Sequence, residues 1–171
     1  MIETGRLIII PFNYEELGLY LQSKGKLEKK LQLTDTGRTV VPEIRDRVQN
    51  LILPKMKGIK TDHYLFYTFW IVVEKFAKII VAELGFKGEP DTKAEIEIGY
   101  GTLSNHRGKG YMTEALGGMI SWANNRHEIQ GILAETEETN MASIRVLQKN
   151  NFLLLEKKKN MLWWRKEVKL F

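Results

Sequence analysis

The residues of this chain with the most specific chemistry run from Ser104 to Met112: Ser104, Asn105, His106, Arg107, Gly108, Lys109, Gly110, Tyr111 and Met112. Glycines at 108 and 110 let the backbone pass close to a ligand, and Arg107 and Lys109 add positive charge beside them. The apolar spacing after this loop predicts a helix from about Tyr111 to Asn124, with Leu116, Met119, Ile120 and Ala123 on one stripe. The first turn of such a helix leaves its N–H groups unpaired at the positive end of the dipole. Loop, cations and helix start together describe a pyrophosphate cradle. A tight strand-to-helix turn has the same composition, so the loop alone leaves both readings open. Two common nucleotide motifs are excluded. A dinucleotide fingerprint needs a third glycine where Met112 and Thr113 stand, and a Walker loop needs Lys where Gly110 is followed by Tyr111.

The elements that must position this loop follow from periodicity. Ahead of it, residues 94–103 alternate: Ala94, Ile96, Ile98 and Tyr100 fall on one face, and Glu95, Glu97, Gly99 and Gly101 on the other. Arg6–Pro11 reads as a first strand. Between Tyr14 and Lys57 the spacing turns helical (Leu17, Leu21, Leu27, Leu31, then Ile44, Val48, Leu51 and Ile52), with Gly25, Gly37 and Pro42 dividing it into two or three helices. Strands are predicted over His63–Glu74 and Ala77–Lys87 as a hairpin, and over Ile129–Thr136. A helix is predicted over Asn140–Asn150 with Ile144 and Leu147 as its apolar edge, and a closing hairpin over Phe152–Lys157 and Met161–Lys169. The expected fold class is α+β: a mixed, mostly antiparallel sheet of six to seven strands flanked by helices, in a single domain spanning residues 1–171.

Two segments together carry a family resemblance. Arg107-Gly108-Lys109-Gly110-Tyr111-Met112-Thr113-Glu114-Ala115-Leu116, followed by Asn140-Met141-Ala142-Ser143-Ile144-Arg145-Val146-Leu147-Gln148-Lys149-Asn150-Asn151-Phe152, resembles the GNAT acyl-CoA N-acyltransferase superfamily. The opening Glu3-Thr4-Gly5-Arg6-Leu7-Ile8-Ile9-Ile10-Pro11-Phe12 is similar to that of its RimJ/RimL-type branch. The family's loop pattern, Arg/Gln-x-x-Gly-x-Gly/Ala, falls on Arg107, Gly110 and Met112, where Met112 replaces the expected small residue. The resemblance implies the GNAT fold and acetyl-CoA as co-substrate, without a metal. Backbone groups near Thr102 and Leu103 would pair with the pantetheine arm, and Arg107, Gly108, Lys109, Gly110, Tyr111 and Met112 would hold the pyrophosphate. Asn140 and Ser143 would face the same ligand. By residue type alone, Asn140 is equally a helix N-cap and Ser143 a solvated helix residue.

Acyl transfer to an amine requires the amine uncharged, which favours an α-amino group (pKa ~7.7–8.0) over a lysine (~10.4). A carboxylate on the strand before the loop can take the proton, an effect of ~10²–10⁴-fold. The resemblance points to Glu97, with Glu95 second. The general acid the family often supplies, a tyrosine in the last helix, falls on Leu147 here, which leaves Ser143 or solvent for that role. Tyr100, on the opposite strand face, reads as packing. Glu135, Glu137 and Glu138 form either a cation-attracting cluster or an exposed loop.

Composition narrows the classes further. With 43% hydrophobic and 27% charged residues the chain is an ordinary globular one, and the absence of cysteine removes thiolate metal sites and any cysteine acyl-enzyme. The segment Tyr64–Val73 is half the ~20 residues a membrane helix needs, so a cytoplasmic protein without membrane association is expected. Of the net charge of +5, most lies after Glu156, in Lys157, Lys158, Lys159, Arg165, Lys166 and Lys169. A nucleic-acid surface that adds Trp163 and Trp164 is the rival reading of this hairpin. The alternation of a strand places one of the two tryptophans in the core and argues against it. The remaining rivals are a non-catalytic acyl-CoA-binding protein and an acetyltransferase of small-molecule amines. A homodimer formed through a terminal strand ending at Leu170 and Phe171 is a further expectation.

Overall fold

The computed structural model describes residues 1–22, 25–59 and 61–168. The expected dimer segment at Leu170 and Phe171 lies outside them. The chain opens with β1 (Ile2–Glu3) and β2 (Leu7–Pro11), continues through α1 (Tyr14–Gln22) and α2 (Lys26–Lys30), and enters a longer rod. The rod consists of α3 (Pro42–Arg47), a π-helical turn (Val48–Ile52) and α4 (Leu53–Met56). Next come β3 (Trp70–Glu74), β4 (Ile79–Phe86) and β5 (Glu95–Thr102), followed by α5 (Tyr111–Ala123), β6 (Gly131–Glu137), α6 (Met141–Lys149), β7 (Leu153–Lys158) and β8 (Met161–Glu167). The strands form one sheet in the order β1-β2-β3-β4-β5-β6-β8-β7. Its pairs are antiparallel except β5 with β6.

Eight strands replace the expected six to seven because the two-residue β1 folds back onto β2, pairing Ile2 with Ile9 and Glu3 with Ile8. The strand expected over His63–Glu74 is confined to Trp70–Glu74. Asp62–Phe66 forms a 3₁₀ turn started by the Thr61 hydroxyl, which accepts from the His63 N–H. The aromatic residues there suit a strand by propensity, but the indole N–H of Trp70 donates to the Leu65 carbonyl and holds the turn against the strand. The helical region departs from the simple pattern at Pro54. A proline lacks an N–H and its ring crowds the carbonyl four residues back, and the preceding π turn accommodates it. Leu51, expected on the apolar face, lies within this turn and is exposed, while Val48, Ile52 and Met56 are buried.

The sheet has a core on each face. Ile96, Ile98, Met112, Leu116, Met119, Ile144, Leu147 and Trp164 are buried together beneath α5 and α6, joined by Trp70, Phe66 and Phe86, which contact the half-buried Trp122. The opposite face, over β2–β4, is covered by α1–α4 through Phe12, Leu17, Tyr20, Leu27, Val48 and Ile52. Trp164 is buried and Trp163 only half-buried, as the strand alternation requires. At the hairpin tip, Lys157 ion-pairs with Glu138 and Lys158 with Glu156, which leaves little of a continuous basic surface.

Candidate active site

β5 and β6 pair only over Glu95–Gly131, Ile96–Ile132 and Glu97–Leu133, after which the two part while β6 stays paired with β8. β4 stays paired with β5 to Thr102. The bonds from Lys87 N–H to the Glu97 carbonyl and from Leu103 N–H to the Val81 carbonyl show that odd-numbered residues of β5 turn their backbone groups to β4. Ile98, Tyr100 and Thr102 therefore turn theirs into the gap beside β6. The sheet is split there: the Ile98 N–H still completes the parallel ladder with Leu133 and the Thr102 carbonyl lies 3.5 Å from Arg107 Nε, which leaves the Ile98 carbonyl, both Tyr100 groups and the Thr102 N–H facing the gap, able to take an extended ligand as an added strand. Of the two expected backbone positions, Thr102 faces the gap, whereas the Leu103 N–H is already bonded to Val81.

The gap ends at the glycine loop. Gly108 and Gly110 both have φ of 76°, a left-handed conformation that L side chains rarely adopt. Gly110 is the N-cap of α5, so the first-turn N–H groups of Tyr111, Met112 and Thr113 point out of the helix end. Met112 does not obstruct this surface, because its side chain is buried in the core beneath α5. The N-terminal segment props the loop from behind. The Glu114 carboxylate accepts from the Thr4 hydroxyl at 2.7 Å and from the Arg6 backbone N–H at 2.7 Å, and pairs with the Arg6 guanidinium at 2.7 Å. Arg6 in turn donates to the Lys109 carbonyl at 3.0 Å. Partial burial works against the Glu114 charge, but these bonds outweigh it and hold the carboxyl below its ordinary range. Arg107 and Lys109 form no ion pair among the described residues. The loop thus fits a pyrophosphate in its free N–H groups, its cations and its open face.

Across the gap, the Asn140 side-chain oxygen caps α6 by accepting from the Ser143 N–H at 3.1 Å, which leaves its NH₂ group for a ligand. The Ser143 hydroxyl lies 2.9 Å from the Tyr100 hydroxyl. Tyr100, read from sequence as packing, is thereby part of the site. Only the strand split and the approach of α6 bring the two hydroxyls together. Leu147 is wholly buried, so α6 carries no acid there.

On the other face of β4 and β5, three register pairs lie in a row: Glu83 with Gly101, Gly85 with Gly99, and Lys87 beside Glu97. The side-chain-free middle of this row floors a cavity of about 360 Å³, walled by Tyr67, Phe69 and, from the α3–π rod, Ile44, Arg47 and Ile52. Arg47 and Glu83 are the charged residues among those lining it. The buried Arg47 Nε has no hydrogen-bond partner. Glu83 accepts from the Tyr20 hydroxyl at 2.9 Å; burial pushes its carboxyl up, against the pull of that bond and of Arg38. Glu97, at the end of the row, is ion-paired with Lys87, whose ammonium is 4.0 Å from Glu135. Glu95 is occupied by Arg165 at 2.6 Å. Arg47 and Glu83 have no sequence signal, since they meet only when the rod crosses the sheet.

Comparison with known proteins shows the family and the fold. The family described as acetyltransferase (GNAT) domain matches residues 6–153. A Bacillus subtilis (strain 168) protein named as an uncharacterized N-acetyltransferase, YjdG, is 38% identical over 113 residues, a match that spans 66% of this chain and 64% of that protein. Among solved structures, RimL, a ribosomal L7/L12 α-N-protein acetyltransferase in complex with coenzyme A, superposes with TM-score 0.66 at 18% identity, covering 96% of both chains. The ribosomal-protein-S5-alanine acetyltransferase of Vibrio fischeri gives 0.65 at 18%, over 97% of this chain and 95% of that one. At these identities the two superpositions establish the shared fold.

Proposed function

Because the chain belongs to the GNAT acetyltransferase family, we propose that it transfers an acetyl group from acetyl-CoA directly to an amine, and that the amine is the α-amino group of a peptide or protein, as in the RimJ/RimL-type branch. Acetyl-CoA supplies an acetyl thioester. Residues 107–112 hold its pyrophosphate, the free edge of β5 at Ile98, Tyr100 and Thr102 aligns its pantetheine arm, and Asn140 and Ser143 close the opposite side.

The observation that carries the choice of acceptor is the cavity over Gly99 and Gly101. Its walls are mainly apolar, and Arg47 Nε offers a donor and Glu83 an acceptor. A peptide unit presents the complementary pair, a carbonyl and an N–H. An unpaired buried donor such as Arg47 Nε costs about 1–3 kcal/mol, so an acceptor substrate that offers it a carbonyl is preferred to one that does not.

Glu97 acts as the base on the same face. Its ion pair with Lys87 holds the carboxylate at the end of the β4–β5 row. When it takes a proton from the ammonium, the nitrogen lone pair is free to attack. Ser143 faces the sulfur from the other side and donates a hydrogen bond as charge develops there. No acyl-enzyme is involved, since the chain has no cysteine and the two substrates meet across β5.

Calorimetry with acetyl-CoA, followed by mass spectrometry of peptides offered with free or blocked N-termini, tests this reading. Binding, together with acetylation of free N-termini alone and a ~10²–10⁴-fold loss in Glu97→Gln, is the expected result. Binding with acetylation only of simple amines would move the acceptor to small molecules. No binding by a folded protein would end the acyltransferase reading.

A further inference from the structure

We propose that Tyr100 is a positioning residue for Ser143, its hydroxyl fixing the serine rotor so that the Ser143 O–H points into the split of the sheet at the sulfur of the departing CoA. The proposal rests on the acetyltransferase reading above and assigns a role to a side chain that the reading does not require.

Four observations support it. Tyr100 lies beyond the last β5–β6 pair, so its own backbone faces the gap that aligns the pantetheine. Its ring packs against the core beneath α6, which holds the hydroxyl in place. That hydroxyl is 2.9 Å from Ser143 Oγ and 3.5 Å from the Ser143 carbonyl, while the Asn140 cap fixes the Ser143 backbone N–H. Ser143 is also the only hydroxyl in α6, whose remaining residues are Met, Ala, Ile, Arg, Val, Leu, Gln and Lys.

A serine hydroxyl is a free rotor with one proton and two lone pairs. When Tyr100 donates to Ser143 Oγ, it occupies one lone pair and polarises the remaining O–H, which is left to point away from the tyrosine. Burial raises the Tyr100 pKa, so the phenol keeps its proton through the neutral range. In the transfer step the amine nitrogen, already relieved of one ammonium proton by Glu97, bonds to the acetyl carbon and loses its second proton to solvent. The carbon–sulfur bond breaks with its electron pair going to sulfur, and Ser143 hydrogen-bonds the resulting thiolate until solvent protonates it. A hydrogen bond to a charged acceptor is about twice as strong as a neutral one, so a fixed donor acts mainly on the thiolate.

The test needs no acceptor. The ultraviolet absorbance of the CoA thiolate is followed against pH in complexes with the wild type, Tyr100→Phe, Ser143→Ala and the double variant, after calorimetry has shown that each binds CoA. A cysteine thiol ionises near pH ~8.5 when free, and the alkyl thiol of CoA, which lacks cysteine's neighbouring amides, somewhat higher. The wild-type complex should ionise lower. Tyr100→Phe and Ser143→Ala should each move the midpoint back up by roughly half to one pH unit, and the double variant no further, because the two hydroxyls act as one device. In turnover, Tyr100→Phe should lower kcat about tenfold with KM for acetyl-CoA within about twofold. A midpoint that moves in Ser143→Ala but stays at the wild-type value in Tyr100→Phe would overturn the proposal and leave the acetyltransferase reading intact. Equal midpoints in all four complexes would do the same. A wild type that fails to bind CoA would remove the reading itself and the proposal with it.

Discussion

Beneath α5 and α6, β5 contributes Ile96 and Ile98 to a solid core with Met112, Leu116, Met119 and Leu147. Two residues along, on the opposite face, the same strand presents Gly99 and Gly101 and leaves a cavity of about 360 Å³ with an unpartnered arginine N–H and a buried carboxylate beside it. One face is satisfied within the chain. The other keeps open space and an arginine N–H without a partner in the chain, the pattern expected where binding rather than packing determines the residues. A strand can serve both because its side chains alternate, so Ile96 and Ile98 belong to the scaffold while Glu97, Gly99 and Gly101 face the cavity side.

The comparison breaks most severely if the open face is filled. A Cβ built on Gly101 meets no atom within 4 Å. Gly101→Trp should therefore fold, bind acetyl-CoA as the wild type does, and lose acceptor turnover by about a hundredfold or more, an effect within the range of a lost near-attack geometry. Gly101→Ala, measured alongside, should stay within about twofold of wild type. On the packed face the largest change is in stability. Met119 is fully buried, and Met119→Ala should lower the unfolding free energy by about 2–5 kcal/mol in a denaturant titration, with the affinity for CoA retained while the protein is folded.

Glu83 sharpens the contrast. Burial raises its carboxyl pKa, so its stabilising contribution is present at low pH and declines as pH rises through the folded value. Glu83→Gln keeps an oxygen for the Tyr20 hydroxyl and should be at least as stable as wild type at neutral pH by thermal melt, while turnover falls. A variant that is less stable and fully active would place Glu83 in the scaffold. Glu114 has the opposite sign. Its carboxyl is held low, so its contribution is present above the unfolded value of ~4.3 and fades as pH falls through the folded one. Glu114→Gln should flatten that acid limb of stability. The smallest effect is expected away from both faces. Lys157 already pairs with Glu138 after β6 and Lys158 with Glu156 in the hairpin, so neutralising Lys157, Lys158 and Lys159 should leave CoA affinity unchanged within error.

Much of the frame was legible in the residues. The alternation from Ala94 to Leu103 separates the two faces of β5, the positions of Gly108 and Gly110 match the two left-handed turns before α5, and Asn140 is the cap that its residue type implies. These are local properties, set by a strand period of two, by φ and by one side chain reaching one turn. The same local rules misassigned His63–Phe66, where a tryptophan N–H from the next strand overrides aromatic propensity, and Leu51, which lies exposed within the π turn before Pro54.

The sequence by itself therefore determined which face of β5 each residue takes, where the loop turns and which helix ends stand free, because each depends on neighbours a few positions away. Only the tertiary structure decided that β5 and β6 separate after Glu97, that Tyr100 meets Ser143 from 43 positions away, and that Arg47 and Glu83 share one cavity. Those contacts depend on how helices cross a sheet whose strands diverge, and no periodicity within a segment encodes the distance between two segments.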